Sequence, residues 1–246
     1  MSASRGYQGL AETVKAVVGV ELSRGQLQAF RWYSVELQRW NERHNLTAIT
    51  EPVEVEIKHF VDSLTCLKLI EGAGRLIDVG AGAGFPGIPI KIILPDVEIT
   101  LLEATRKKVD FCRHVVEGLG LEKISALHGR AEDYGHENDQ RARYDWAVGR
   151  AVAQMNVLAE YLLPFVRVGG KMIAMKGETG PAEAHAAEGA FRLLGGELRR
   201  LRAIELPQVT ETRYLVEVVK VSATPDDYPR RAGMPAKRPL TGAESG

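Results

Sequence analysis

The chain has 246 residues, of which 45% are hydrophobic and 26% charged, and its formal net charge is zero. This composition indicates a globular cytoplasmic protein, because no apolar run reaches the roughly 18 residues that cross a membrane, and Cys66 and Cys112 show neither metal-ligand spacing nor a disulfide framework. Neutral bulk charge decides nothing about a nucleic-acid partner, so that argument depends on where the basic residues lie.

Residues 1–72 show only helical patterning. A weak helix is predicted over 8–18, and Ser23 is placed to cap a longer one whose apolar residues follow helical spacing, namely Leu27, Phe30, Tyr33, Leu37 and Trp40. A third helix begins near Pro52, with an apolar face formed by Val53, Ile57, Phe60, Leu64 and Leu67. This segment lacks the turn signals of a separate domain, so we interpret residues 1–72 as an N-terminal helical cap.

Strands and helices alternate from Arg75 to about residue 222. Strands are predicted at 75–80, 98–103, 124–128, 144–150, 170–176, 198–205 and 213–221, and helices at 86–94, 105–118, 154–166 and 181–195. Such alternation predicts a parallel sheet with helices on both faces. The link Pro207–Thr212 is too short for a crossover helix, so the last two strands should form an antiparallel hairpin. We therefore predict a Rossmann-like α/β domain over residues 73–222, with a mostly parallel seven-stranded sheet.

Residues 223–246 form a tail rich in proline, glycine and arginine. No acidic residue lies between Tyr228 and Ala243 to meet its basic side chains Arg230, Arg231, Lys237 and Arg238. This composition predicts a flexible arm outside the core that neutralises phosphates. An expendable tail is the alternative interpretation.

A glycine-rich loop joins the first strand to the next helix. Glycine lets the backbone turn sharply and approach a ligand closely, and the helix N-terminus that follows offers free amide donors. Asp78, Gly80, Gly82 and Gly84 fit D-x-G-x-G-x-G, which is typical of S-adenosyl-L-methionine enzymes, while Gly82, Gly84 and Gly87 fit the dinucleotide pattern G-x-G-x-x-G. The loop therefore predicts a nucleoside cofactor without choosing between these two.

Acidic residues after the second and third strands bear on that choice. Glu103 ends the second strand, where a carboxylate accepts hydrogen bonds from ribose hydroxyls, although a solvated loop acid is the alternative. The segment Gly129–Asp133 follows the third strand, where methyltransferases usually place a polar pair against adenine; Glu132 and Asp133 are equally compatible with a surface turn. Because no hydride-transfer site is recognisable, the sequence favours a class I S-adenosylmethionine-dependent methyltransferase.

Basic residues follow several strands at the edge where doubly wound sheets bind ligands. They are Arg130, Arg150, Lys176 and Arg213. Arginine binds phosphate with two hydrogen bonds or stacks on a base, so these residues are candidates for contact with RNA. Exposed surface residues are the alternative for each. His59 and Asp62, three residues apart, are most simply interpreted as a local polar pair on one helix.

Several motifs together resemble the bacterial small-subunit rRNA guanine-N7 methyltransferase family, also called glucose-inhibited division protein B. They are Trp40–Thr47, His59–Ser63, Asp78–Gly87, Leu102–Lys108, Gly149–Ala151, Met175–Gly177, Arg213–Leu215 and Tyr228–Leu240. The resemblance implies methylation of one guanine in the 530 loop of 16S rRNA, in free RNA or in a small-subunit assembly particle. It also implies cofactor contacts at Gly80, Phe85, Glu103, Ala104, Thr105, Ala131, Glu132 and Arg150.

The chemistry of this reaction needs few catalytic groups. N7 of neutral guanine carries an in-plane lone pair, so no proton must leave before attack, and alignment of the reactants supplies much of the catalysis. We predict Arg150 and Lys176 as the catalytic residues, with no metal, and we favour a monomer. Three alternatives stay open: a methyltransferase for a small molecule or protein, a non-catalytic RNA-binding factor with the same fold, and, more remotely, an NAD-dependent oxidoreductase.

Overall fold

The computed structural model describes residues 9–72 and 74–241. In this part of the chain seven strands form one sheet in the order β3-β2-β1-β4-β5-β7-β6. The strands are β1 (Arg75–Val79), β2 (Glu98–Glu103), β3 (Ile124–His128), β4 (Tyr144–Arg150), β5 (Val166–Lys176), β6 (Gly196–Ile204) and β7 (Arg213–Lys220). Strands β1 to β5 pair in parallel, and β7 lies antiparallel between β5 and β6. The predicted Rossmann-like sheet with its C-terminal hairpin is confirmed.

The helices of the described residues surround this sheet. They are α1 (Leu10–Val18), α2 (Arg24–His44), α3 (Pro52–Val55), α4 (Asp62–Leu64), α5 (Gly87–Ile93), α6 (Arg106–Gly118), α7 (Ala131–Tyr134), α8 (Met155–Leu162), α9 (Gly180–Ala186), α10 (Glu188–Leu193) and α11 (Met234–Lys237). None of the described helices is both long and apolar enough to span a membrane.

Two predicted helices are shorter than expected. The helix predicted to reach residue 166 ends at Leu162 and continues as a 3₁₀ turn, because Pro164 has no amide hydrogen for an α-helical bond. The helix predicted over 181–195 is divided at Ala187, whose N–H donates to both Glu183 O at 3.0 Å and Ala184 O at 3.2 Å, which tightens the turn.

The helix predicted from Pro52 is also irregular. Between α3 and α4 the chain forms a π-helical turn, Glu56–Val61, and after α4 it forms a 3₁₀ turn, Thr65–Lys68. These changes of period alter which residues share a face, so Val53, expected on the apolar face, is 36% exposed. π-Helical turns are rare in proteins, and those that occur are often found at functional sites.

The cap shares its core with the sheet. Ser23 caps α2 as predicted: its Oγ accepts from the N–H of Gln26 at 3.2 Å, and the Gln26 side chain accepts from the N–H of Ser23 at 2.9 Å. One buried cluster then joins Phe30 and Tyr33 of α2 to Phe85 and Phe111 beside the sheet. Residues 9–72 are therefore packed as part of the same body, and the boundary at residue 72 stays a prediction.

The tail is packed against the sheet domain as far as it is described. Leu240 is buried in the cluster on the second face of the sheet. Glu160, whose side chain is fully buried, accepts from Arg230 N–H at 2.8 Å, from Nε at 2.9 Å and from Nη2 at 2.7 Å. The expectation that the tail lies outside the core therefore does not hold for these residues. Residues 242–246 of the predicted arm lie outside the described part.

Candidate functional site

A cavity of about 750 Å³ opens at the carboxyl ends of β1, β2, β4 and β5. This is the edge at which the parallel sheet was expected to bind a ligand. The sheet contributes the glycine loop and the ends of the four strands, while the cap contributes Leu46, Thr47, Lys58, His59 and Asp62. The site therefore lies between the cap and the sheet.

The glycine loop presents bare backbone to this cavity. Gly80, Gly82 and Gly84 have φ values of 73°, 59° and 92°, which L-residues with side chains rarely adopt. A Cβ atom at Gly82 would lie within 4 Å only of Gly80 O, at 3.9 Å, whereas one at Gly80 would lie 2.8 Å from Val152 Cγ2. The loop thus leaves open space at Gly82, into which a ligand can approach the main chain.

Asp78 supports the loop from below. Its side chain is fully buried and does not line the cavity; Oδ2 accepts from the N–H of Gly87 at 2.7 Å, and Oδ1 has no hydrogen-bond partner among the described residues. Burial disfavours the carboxylate and raises the pKa of Asp78 to about 7, against the opposing effect of the Gly87 hydrogen bond. The aspartate of the loop motif therefore joins β1 to the start of α5.

Glu103 lies at the end of β2, in the wall of the cavity as predicted. Oε2 accepts from the N–H of Gly82 at 2.9 Å, and Oε1 accepts from the N–H of Thr105 at 2.7 Å. Each carboxylate oxygen has a second lone pair, so these bonds leave acceptor capacity for a ligand hydroxyl. Ala104 also lines the cavity, and Thr105 lies just outside it at the start of α6.

Phe85 is the centre of an aromatic group between the cap and the loop. Its ring stacks on His59 at a centroid distance of 4.4 Å and on Tyr33 at 5.3 Å. The Tyr33 hydroxyl donates to the carbonyl of Ala83, and burial raises the pKa of Tyr33. The guanidinium carbon of Arg150 lies 5.2 Å from the Phe85 ring centroid.

Arg150, at the end of β4, binds three groups of the cap. Nη1 donates to Lys58 O at 2.8 Å and lies 3.4 Å from Asp62 Oδ2, while Nη2 donates to His59 Nδ1 at 3.0 Å. Since Nδ1 is the acceptor, His59 carries its proton on Nε2, which lies 3.0 Å from Thr47 Oγ1. The predicted local pair of His59 with Asp62 is thus replaced by contacts of both with Arg150.

Burial and the positive charge of Arg150 shift the pKa values of the neighbouring His59 and Asp62. Burial, together with the Arg150 guanidinium, lowers the pKa of His59 to about 3, so this imidazole is neutral at neutral pH. Burial also raises the pKa of Asp62, although Arg150 and Arg213 act in the opposite direction. The cluster therefore holds a cation beside a neutral base and a partly desolvated acid.

Lys176 and Arg213 line the other side of the cavity. Lys176 Nζ donates to Ala153 O and to Glu183 Oε2, both at 2.6 Å. Arg213 Nη1 lies 3.6 Å from Glu211 Oε2, and Arg213 Nε is buried without a hydrogen-bond partner in the described part of the chain. Of these two predicted RNA-contacting residues, Lys176 is engaged by protein groups and Arg213 keeps an unused donor.

Several predicted site residues do not line this cavity. Ala131 and Glu132 lie on α7, and Glu132 Oε1 accepts from the N–H of Gly233 in the tail at 2.9 Å. Arg130 is exposed beside them, and Arg231, Lys237 and Arg238 are exposed on the tail. The structure thus brings the residues that follow the third strand into contact with the tail, and neither group lines the cavity at the glycine loop.

Sequence reasoning assigned no role in the site to several polar residues that line it, among them the four that follow. Thr47, Lys58, Asp62 and Glu183 all line the cavity. The first three lie in or beside motifs that supported the family resemblance, which was the only signal for them. No group of three or more His, Cys, Asp or Glu side chains within 9–72 and 74–241 is arranged to hold a metal ion.

Comparison with known sequences gives one consistent result. A family model described as rRNA small subunit methyltransferase G matches residues 26–211. Two similar proteins are named Ribosomal RNA small subunit methyltransferase G. The one from Pelotomaculum thermopropionicum is 47% identical over 237 residues, covering 94% of this chain and 99% of the relative. The one from Desulforamulus reducens is 46% identical over 222 residues, covering 89% and 92%.

Solved structures show a similar fold at low sequence identity. A SAM-dependent methyltransferase from Aquifex aeolicus has a TM-score of 0.54 at 14% identity, covering 72% of this chain and 97% of its own. The TYW2 protein of P. horikoshii, solved in complex with MeSAdo, has a TM-score of 0.53 at 12% identity, covering 65% and 61%. These similarities support the class I fold.

Proposed function

Since the chain belongs to the rRNA small subunit methyltransferase G family, we propose that it transfers a methyl group from S-adenosyl-L-methionine to N7 of one guanine in the 530 loop of 16S rRNA. The observation that carries this proposal is the cavity between cap and sheet, which joins an open glycine loop to a set of basic residues. The enzyme works on rRNA in the cytoplasm, and we favour a monomer.

The residues of the cavity fit the proposed cofactor. Gly82 leaves open space beside the main chain, and Glu103 has acceptor capacity at the end of β2, where class I enzymes bind the ribose. We assign Gly80, Gly82, Phe85, Glu103 and Ala104 to the cofactor side, with Asp78 and Gly84, which do not line the cavity, as supports. When bound, S-adenosylmethionine supplies a methyl group already activated by its sulfonium.

The other residues proposed to contact the cofactor act indirectly or lie at the edge of the cavity. Thr105 fixes Glu103 through its N–H, and Arg150 fixes Phe85 and the cap. The Glu132 carboxylate faces the tail, so a contact at Ala131 or Glu132 involves the main chain of α7. These residues act chiefly by fixing the shape of the site.

The other side of the cavity suits a guanine and its phosphates. N7 needs no base, so the protein has to position the purine and exclude competing geometries. Arg213 lines this side of the cavity, and its partly exposed guanidinium can bind the exocyclic oxygen or a phosphate, while Lys176 adds positive charge. The methylated purine is cationic, and the carboxylates of Asp62 and Glu183 in the cavity wall disperse that charge.

The exposed basic residues of the tail extend this RNA surface. Arg231, Lys237 and Arg238 are exposed on a segment whose main chain is bound to α7 through Gly233 and Glu132, so this main chain is held in place before RNA binds. Arg230 contributes by anchoring the segment to Glu160. Each phosphate that such a surface neutralises makes binding more dependent on salt concentration.

Methyl transfer to 16S rRNA from cells that lack this chain tests the proposal directly. We expect label from S-adenosylmethionine to appear at one guanine of the 530 loop, located by mass mapping, and Arg150→Ala and Lys176→Ala to reduce transfer at least tenfold, on the order of the loss of one positioning contact. Unchanged transfer in both variants contradicts the assignment of Lys176 to the substrate side and of Arg150 to the positioning of Phe85 and the cap. Absence of cofactor binding in calorimetry leaves a non-catalytic RNA-binding factor.

A further inference from the structure

A second, smaller cavity lies between α2 and α6. Its volume is about 310 Å³, and it is lined by Glu36, Arg39, Trp40, Arg43, His44 and His114. None of these residues lines the cavity at the sheet edge, and the proposed reaction gives none of them a role. Aromatic and charged side chains thus form this cavity.

Three flat rings form its walls. The Trp40 ring lies 5.3 Å from the His44 ring and 5.1 Å from the His114 ring, measured between centroids. The rings are tilted by 43° and 34°, so they form an angular wall. Aromatic side chains of this kind bind unstacked nucleobases, since every base has an apolar face.

A carboxylate lies in the same cavity. The side chain of Glu36 is 10% exposed; its Oε2 accepts from His114 Nε2 at 2.7 Å, and its Oε1 forms an ion pair with Arg39 Nη1 at 3.7 Å, a distance that is too long for a hydrogen bond. Glu36 Oε1 can therefore accept a hydrogen bond from an amino or imino group on the edge of a base. The same carboxylate is unsuited to a phosphate.

Two arginines supply the charge that a phosphate requires. Arg39 and Arg43 are exposed and four residues apart, so they lie on the same face of α2. Their guanidinium groups are suited to two-pronged contact with phosphate oxygens. The cavity therefore combines ring faces, one acceptor and a pair of cations, which are the elements of a nucleotide site.

The cavity lies close to the proposed methylation site along both helices. Helix α2 ends at His44, and Leu46 and Thr47 just beyond it line the larger cavity. On α6, Lys108 lines the larger cavity and His114 the smaller, a separation of about 9 Å along the helix axis. The two residues are also about 120° apart around the helix, so an RNA strand that occupies both cavities passes over the surface of α6 between them.

We propose that this smaller cavity binds an unstacked nucleotide that flanks the target guanine in the RNA substrate. The base packs against Trp40 and the two imidazoles, an N–H of the base donates to Glu36, and the adjoining phosphates bind Arg39 and Arg43. This inference rests on the proposed function, because it assigns the partner as the RNA that the larger cavity methylates.

Affinity for 16S rRNA, measured by filter binding, tests the proposal separately from catalysis. We expect Trp40→Leu, which keeps an apolar side chain against Phe111, and Arg43→Ala each to raise the RNA Kd by on the order of tenfold, as loss of a stacked base or a charged contact does. In methyl transfer the same variants raise KM for RNA and leave kcat and cofactor affinity unchanged. Arg31→Ala, an exposed residue of α2 outside the cavity, is the matched control.

The outcomes separate the two proposals. An RNA Kd for Arg43→Ala equal to that of Arg31→Ala overturns the nucleotide site, and this variant decides the question even if Trp40→Leu is unstable. If the unaltered protein binds 16S rRNA but transfers no methyl group to it, the proposed function fails. The nucleotide site is then still decided by the RNA Kd of the variants.

Discussion

Arg150 Nη2 donates to Nδ1 of His59 over 3.0 Å, which joins the end of β4 to the π-helical turn of the cap. The same guanidinium binds Lys58 O, so two groups of the cap are held at the end of β4. Since the cavity lies between cap and sheet, these bonds help to hold its two walls together.

The first prediction concerns the pH dependence that His59 confers. Its pKa is lowered to about 3 in the folded chain and is about 6.5 in the unfolded chain, so the unfolded chain binds a proton first as pH falls. Stability from this residue is present above pH 6.5 and is lost as pH falls toward 3. Through His59, the unaltered protein should lose about 1 kcal/mol of unfolding free energy when the pH falls from 7.5 to 5.5. His59→Asn, which keeps an acceptor for Arg150, should not show this loss.

Urea unfolding at these two pH values measures this effect. The replacement of an exposed histidine, His185→Asn, is the control. Equal pH dependence of His59→Asn and the unaltered protein would show that folding does not lower the pKa of His59.

The second prediction has the opposite sign and concerns Asp78. Its pKa is raised to about 7, so its contribution to stability is full below pH 3.8 and is lost as pH rises through 7. Asp78→Asn keeps an oxygen to accept from Gly87. The unaltered protein should lose about 1 kcal/mol of unfolding free energy between pH 6 and 8, and Asp78→Asn should not show this loss. Unfolding free energies at both pH values check this, with the exposed Asp96→Asn as control; a variant as pH-dependent as the unaltered protein contradicts it.

The third prediction separates backbone strain from ligand contact in the glycine loop. Gly82 and Gly120 have nearly equal φ values, 59° and 58°, and a Cβ at either meets no atom closer than 3.9 Å. Alanine at each position should therefore cost about 1 kcal/mol of stability, from strain alone. Only Gly82→Ala should raise the Kd for S-adenosylmethionine, on the order of tenfold in calorimetry. Equal affinities in the two variants would place the cofactor elsewhere.

The fourth prediction distinguishes two neighbouring arginines of the tail. Arg230→Ala leaves the buried Glu160 carboxylate without its guanidinium, so unfolding free energy should fall by about 3 kcal/mol. Arg231 is exposed, and Arg231→Ala should leave stability within about 0.5 kcal/mol while lowering the salt dependence of RNA binding. Thermal unfolding and RNA titrations at two salt concentrations check both; the assignment fails if Arg231→Ala is the more destabilised variant.

The fold, and the places of the glycine loop and Glu103 in the cavity wall, were predictable from local sequence. The strands β1 to β4 were placed within one residue because alternating apolar segments and glycine turns are local signals. Gly82 and Glu103 likewise follow from the position of a loop and of a strand end in any parallel sheet. The capping box of Ser23 is local in the same sense.

Long-range pairing was decided only by the tertiary structure. No local pattern tells that Arg150 binds His59 91 residues away, or that Glu160 meets Arg230 across 70 residues. The tail seemed free of acids because its acid lies on α8. Sequence determines periodicity and turns through interactions between near neighbours, whereas the partner of a buried charge depends on which segments the packed core brings together.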